Sequence, residues 1–337
     1  MTDPRFIHLR FHSEYSITDG IVRVDPMIHA VEKSGGVAIG ICDLMNIFGG
    51  LRFYTHALAA GIKPILGCDL RVMNPKDLKK PYRLGVYCMN HEGYHSLCVL
   101  LTKAFLTKND AARGLIDPAW FDNGGGKGLI CLSGASQGEL GQLLLSKRWA
   151  LAEEALERYK AWFPDCFYVE LQRAGRPSDE LATARLANFA AEHRIPVVAT
   201  HPIQFLNKED FEAHEVRCSI AEGYTLQDPR RSRNFTEEQY FKSEDEMCEL
   251  FKDIPAALVN SVEIAKRCNL DGVLSKPQLP LFPTPDGMSL DDYIDKLSKE
   301  GLQKRLEFLY PDPKVLEEKR PAYDKRLEYE LGIIKGM

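Results

Sequence analysis

The chain has 337 residues, 45% of them apolar, and a formal net charge of −5, enough to bury a large core and leave material for a second, smaller unit. The acidic balance excludes a protein that grips nucleic acid with its whole surface, which needs a basic field to displace counterions from phosphate. No run approaches the ~18–20 apolar residues that span a bilayer, and the opening MTDPRF lacks a charged-then-apolar leader, so a cytosolic (cytoplasmic) address is expected.

In chain order, the first apolar run is FIHLR (6–10), which opens the stretch FIHLRFHSEYSITDG. If it is a strand, His8, Arg10 and His12 share one face, an arrangement that suggests a metal site except for the arginine between the histidines. Further strand candidates are VAIGICD (37–43), KPILGCDLRV (63–72), RLGVYCM (83–89), GLICLSG (128–134), CFYVELQ (166–172) and IPVVATH (195–201). Between most of them lie helical patterns: LRFYTHALAAG, YHSLCVLLTKAFL, WALAEEALERYKAWF and SDELATARLANFAAEH. Seven strands with helical crossovers predict a mostly parallel α/β sheet, either a closed barrel or a doubly wound sheet. No GxGxxG follows the first strand, and Asp43, Asp69, Glu170 and His201 collect at strand ends, which suits a barrel with its working mouth at the C-terminal rim.

After about residue 206 the pattern is helical, through NKEDFEAHEVRCSIAEG, SEDEMCELF and PAALVNSVEIAKRC. KPQLPLFPTPDG (276–287) holds four prolines in twelve residues and predicts an extended connection. Two charged amphipathic helices follow, the first with Ser289 and Asp292 as a capping pair; they have too few large apolar residues for a core of their own and read as the opening of another domain. The helical pattern is still running at Met337, which reads as the cut end of a longer chain. The nine cysteines lie in apolar runs without CxxC spacing and are expected to be reduced and mostly buried.

Metal chemistry would need histidines and carboxylates converging from several strand ends, and His8, His12, Asp19, Asp43, Asp69 and His201 are the candidates. Each alone has a plainer reading: Asp after a strand is commonly a helix cap, and a strand histidine is commonly a satisfied core residue. Arg230, Arg231 and Arg233 in DPRRSRN form a tight cluster that reads either as a solvated loop or as a contact to DNA or a partner.

FIHLRFHSEYSITDG, followed by ICDLMNIFGGLRFYTHALAAGIKPILGCDL, resembles the start of the alpha subunits of bacterial replicative DNA polymerase III, a region known as the PHP domain and shared with a histidinol phosphatase family. The resemblance continues through NHEGYHSL, GLICLSGASQGEL, PVVATHPIQFLNKEDFEAHEVRCSIAEG, TLQDPRRSRN, YFKSEDEMCELF and NSVEIAKRCNL, and covers essentially the whole chain. It implies a PHP-type distorted (β/α)7 barrel over 1–275, comprising the barrel to about 206 and a helical extension. It further implies a connection over 276–287 and, over 288–337, the first helices of the polymerase palm region.

Active members of the family hold a metal cluster at the barrel rim and hydrolyse phosphoesters, some as a 3′–5′ proofreading exonuclease. Carried over by motif, their first histidine pair falls on Arg10 and His12, and the next aspartate on Asp19. Their Thr-Asp-His-Gly-Asn motif falls on Cys42, Asp43, Leu44, Met45 and Asn46; a glutamate falls on Asp69, a histidine on Arg83, a cysteine or histidine on Ala135, and the closing aspartate and histidine on Pro202 and Gln204. Of nine ligand positions, three keep a donor (His12, Asp19, Asp69); His201 lies one residue from a fourth, with its side chain on the opposite strand face.

The resemblance therefore implies a degraded site in which Arg10, together with Arg83, replaces metal charge beside Asp19, Asp43 and Asp69. No cofactor is expected in this segment; the parent polymerase would use Mg at palm aspartates beyond it. The implied role is a non-catalytic scaffold and docking surface for the separate proofreading exonuclease subunit, with the rest of the alpha subunit and DNA as further partners. The competing expectation is a residual phosphoesterase using His12, Asp19 and Asp69 around one ion.

Overall fold

The computed structural model describes residues 3–108, 114–272 and 280–336, which divide into two compact units, 1–274 and 275–337. Among the described residues six strands form one sheet in sequential order: β1 (Ala38–Leu44), β2 (Lys63–Val72), β3 (Tyr82–Cys88), β4 (Leu129–Leu132), β5 (Phe167–Gln172) and β6 (Val197–Thr200). β1 is parallel to β2, and β4, β5 and β6 run parallel, but β3 is antiparallel to both its neighbours. Expecting a uniformly wound sheet misses that reversal. Its cause is local: residues 73–81 contain no helix, and a short link joins strands only by turning back.

The predicted strand at 6–10 is not a regular strand. Residues 8–12 instead bridge the two edges of the sheet: Cys42 N–H donates to Phe11 O (3.0 Å), Gly40 N–H to His8 O (2.8 Å) and His12 N–H to Ile203 O (3.0 Å). Phe11 thereby pairs with both Ile41 and Ile203 and takes the seventh place in the barrel. Gly40 permits this approach, since a Cβ there would lie 2.5 Å from Leu9 O. Because the segment is not a continuous strand, the period-two rule fails across it. His8 does not join Arg10 and His12; its Nε2–H donates to Lys242 O (2.7 Å) between Phe6 and Phe241.

Alternation does hold in the strands proper. Ile39, Ile41, Leu66, Cys68, Leu70, Leu84, Val86, Val169 and Leu171 belong to one apolar cluster with the surrounding helices, whereas Cys42, Ile65, Tyr87, Ile130, Leu132, Tyr168 and Val198 belong to a second. The helices are α1 (Val24–Lys33), α2 (Gly50–Ala59), α3 (His91–Leu106), α4 (Glu139–Leu145), α5 (Trp149–Trp162), α6 (Asp179–His193), α7 (Phe211–Glu222), α8 (Glu244–Leu250) and α9 (Pro255–Arg267). α9 closes the end of the barrel opposite the rim. Ser261 accepts from Ile7 N–H (2.9 Å), Asn260 donates to Val197 O (2.7 Å), and Val262, Ala265 and Cys268 join the second cluster.

α8 begins with a capping box, in which Ser243 Oγ accepts from Glu246 N–H (3.3 Å) and the Glu246 carboxylate accepts from Ser243 N–H (2.6 Å). Ser243→Ala is expected to lower unfolding free energy by about 1 kcal/mol in urea denaturation, with an unchanged m-value.

The second unit, taken by itself, holds α10 (Leu290–Leu309) and α11 (Pro313–Gly336) as an antiparallel pair, tied by Lys335 to Asp295 (3.1 Å) and by the Tyr310 and Tyr323 hydroxyls (3.0 Å). Ser289 Oγ accepts from Asp292 N–H (3.1 Å), as the sequence suggests. Residues 276–279 of the proline-rich stretch lie outside the described residues. All nine cysteines are unpaired thiols, and no helix among the described residues is long and apolar enough to cross a membrane.

Candidate functional site: a charge network at the barrel rim

At the C-terminal rim the strands aim polar side chains inward. Arg10 and His12 come from the closing segment, Asp69 from β2, Arg83 from the reversed β3, Glu170 and Gln172 from β5, and Gln204 from the chain after β6. Arg10 is 4% exposed and spans the barrel: one amino nitrogen pairs with Asp69, and Nη1 lies 3.2 Å from Glu170 Oε1. Arg83 reaches Asp69 from the other side through Nε (3.2 Å) and Nη2. Both guanidinium groups therefore converge on one carboxylate that is 1% exposed.

The remaining lone pairs are taken as well. Glu170 accepts from Gly134 N–H (3.0 Å), Gln172 Nε2 (2.9 Å) and the Thr200 hydroxyl. Asp19 accepts from Ser16 Oγ (2.6 Å) and His12 Nδ1 (3.0 Å), and His12 Nε2 lies 3.3 Å from Asp69 without hydrogen-bond alignment. Gly134 makes its contribution from φ +77°, with its Cα so near the β3 backbone that a Cβ would meet Arg83 O at 2.0 Å.

The electrostatics follow from this geometry. Burial works against the charged form of every group here, and opposite charges overcome it. The His12 imidazole, disfavoured as a cation by burial but flanked by Asp19 and Asp69, is raised to about 9. Against the same burial, Arg10 and Arg83 hold the Asp69 carboxyl well below its ordinary range, and His12 does so for Asp19. Asp69 and Glu170 in turn keep Arg10 charged.

Of the positions singled out in the sequence, Arg10, His12, Asp19, Asp69, Arg83, Pro202 and Gln204 line a single cavity of about 110 Å³. Asp43, Leu44 and Ala135 do not line it. Asp43 is not among the crowded carboxylates; it accepts from Ser13 N–H (2.6 Å) and Ser13 Oγ (2.7 Å), and burial raises it to about 6 despite those bonds. The carboxylate that Arg10 meets in its place is Glu170, visible in the sequence only as a polar residue in an apolar strand. His201 is turned away, donating from Nε2 to Tyr240 O (3.0 Å).

Other lining residues carry no sequence signal: Gln137, Gln172, Arg176, Asn234 and Phe235 reach the cavity from loops and from the end of β5. The arginine cluster does not form one patch. Arg230 pairs with Asp228 (2.7 Å), Arg231 is buried against Glu215, and Arg233 is exposed with no ion pair among the described residues.

This donor set does not fit a metal ion. Both oxygens of Asp69, Glu170 and Asp19 already accept from protein groups, and a His12 imidazolium has no lone pair to give. Among the described residues, no group of three or more His, Cys, Asp and Glu is arranged to hold one.

Comparison with known proteins agrees with the strand order and the rim. The PHP domain family matches residues 8–174. Over its full length the chain is 49% identical to the DNA polymerase III subunit alpha of Neisseria meningitidis serogroup A and 44% identical to that of Escherichia coli strain K12, and it spans 30% and 29% of those proteins. Among solved structures, a putative metal-dependent phosphoesterase from Bifidobacterium adolescentis aligns with 58% of this chain and 86% of its own (14% identity, TM-score 0.38). An amidohydrolase from Chromobacterium violaceum aligns with 63% of this chain and 96% of its own (12% identity, TM-score 0.41). The chain is thus a member of the PHP domain family, related along its whole length to the amino-terminal portion of bacterial DNA polymerase III alpha subunits.

Proposed function

We propose that this chain is the amino-terminal part of a replicative DNA polymerase, in which the PHP barrel is a non-catalytic scaffold and a docking surface for the separate proofreading exonuclease subunit. The observation that carries the non-catalytic reading is the Arg10 guanidinium, buried between Asp69 and Glu170 where a metal-dependent phosphoesterase needs free lone pairs. His12, Asp19 and Asp69, the three donors a one-ion enzyme would use, bond to one another and to arginine instead. Polymerisation on DNA, Mg at palm aspartates and a cytoplasmic location belong to the whole protein under this reading, which rests on the identity to the polymerase relatives.

Two measurements test it. Calorimetric titration with Zn²⁺ and Mn²⁺ is expected to show no stoichiometric uptake, and stoichiometric binding of two ions with phosphoesterase turnover lost in His12→Ala would overturn the non-catalytic reading. Mixing the chain with the exonuclease subunit of the same organism is expected to give a complex by size-exclusion chromatography; none at micromolar concentrations would remove the docking role.

A further inference from the structure

The rim cavity is lined by more cationic and amide donors than the ion pairs use. Besides Arg10, His12 and Arg83, it is lined by Arg176, Gln137, Gln172, Gln204 and Asn234. Arg176 is held by its own backbone: Asp179 Oδ2 accepts from Ala174 N–H (2.8 Å) and Arg176 N–H (3.2 Å), which fixes the loop but leaves the guanidinium without an ion pair among the described residues. Nη1 donates to Gln172 Oε1 (3.2 Å), while Nε is buried with no partner. Desolvation, and the like charges of Arg10 and Arg83, pull this arginine below its ordinary range, as expected of a cation short of counter-charge.

The polar atoms facing the cavity are donors in the main. Arg83 pairs with Asp69 through Nε and Nη2, so Nη1 remains available. Gln204 is 3% exposed, and its Nε2 sits 3.3 Å from His12 Nδ1. When His12 is an imidazolium that contact sets donor against donor. Turning the amide over removes the conflict, places Oε1 on the ring and directs the NH₂ group into the cavity.

We propose that this cavity is a metal-free receptor for a small tetrahedral oxyanion, a phosphate group, held by the guanidinium edges of Arg176 and Arg83 with amide donors from Gln204 and Asn234. Planar N–H forks match phosphate oxygens, and about 110 Å³ gives room for the group but not for a whole nucleotide. The group is either free phosphate or the terminal phosphomonoester of a nucleic-acid strand; Asn234 and Arg233, exposed in one loop, stand where a strand end would enter. The proposal rests on the reading that guanidinium charge, not metal, occupies the rim.

The test is calorimetry and thermal shift on the whole chain with inorganic phosphate against chloride at matched ionic strength, in EDTA. Saturable phosphate binding is expected, weakened at least tenfold in Arg176→Gln and in Asn234→Asp, the latter an exposed position whose change leaves the fold intact. A 5′-phosphorylated trinucleotide that competes with phosphate, where its 5′-hydroxyl counterpart does not, supports the pocket and identifies a strand end. Phosphate binding without such competition supports it and identifies the free anion. Phosphate acting no better than chloride, or both variants binding like the parent, overturns the proposal while leaving the metal-free rim intact. Phosphate binding that needs added Zn²⁺ or Mn²⁺ overturns both.

Discussion

Arg10→Ala is expected to lose about 3–5 kcal/mol of unfolding free energy, seen in thermal unfolding as a fall in Tm of roughly 10 °C. The side chain is 4% exposed and its partners Asp69 and Glu170 are 1% and 0% exposed, so its removal leaves two carboxylates in a site that water cannot easily reach. Asp69 keeps Arg83 and its neighbour His12, and Glu170 keeps Gly134, Gln172 and Thr200, which limits the loss without replacing the central charge. Two controls separate charge from packing. Arg10→Lys restores a cation without the planar fork and is expected to recover only part of the loss. Arg10→Met combined with Asp69→Asn and Glu170→Gln removes charge on both sides and is expected to recover more, because a buried polar cluster without net charge no longer requires a counter-ion. An Arg10→Ala protein as stable as the parent would show that another cation neutralises the rim.

Acid is expected to destabilise the fold before the carboxylates are reached. His8 and His201 are buried as neutral rings; burial lowers His8 to about 4 and His201 to about 3, the latter helped by His8 and Lys242, while their backbone carbonyl partners act the other way. In the unfolded chain each takes a proton near 6.5. The unfolded state thus binds more protons below that pH, and stability falls as pH falls. At pH 5 each ring costs about 2 kcal/mol.

Two groups oppose this trend. Asp43, raised to about 6, binds its proton earlier when folded than unfolded and returns about 1.4 kcal/mol by pH 5. His12, raised to about 9, contributes stability that is complete below 6.5 and adds under ~1 kcal/mol between pH 7 and 5. The net expectation is a loss of about 2 kcal/mol from pH 7 to pH 5, measured by urea denaturation at the two pH values. His8→Gln with His201→Gln should flatten that limb, and equal stability of the parent at both pH values would refute the assignment. On the alkaline side, raising the pH through 9 removes the His12 contribution, about 2.7 kcal/mol relative to pH 7.

Much of the barrel is legible because strands and helices write different periods. KPILGCDLRV over 63–72 coincides with β2, and WALAEEALERYKAWF contains α5. α1 and α4 are absent from the elements expected. α4 is seven residues long, too short for its period to stand out, whereas α1 does carry apolar residues at Val24, Met27, Ile28 and Val31 but follows a proline-containing VDP start, which reads locally as a turn.

What the sequence determined by itself is chemical inventory: which positions are apolar, and that leucine, alanine, proline and arginine stand where a PHP metal cluster would need donors. Those are properties of residues and their spacing, and no folding is required to read them. Only the tertiary structure decided who meets whom. Glu170, not Asp43, is the second carboxylate on Arg10, since residues 8–12 close the barrel through single bridges that break strand alternation and separate His8 from the rim. Arg176 and Asn234 reach the same cavity from distant loops whose conformation is set by backbone hydrogen bonds and packing, and a contact between loops far apart in the chain leaves no period for sequence to show.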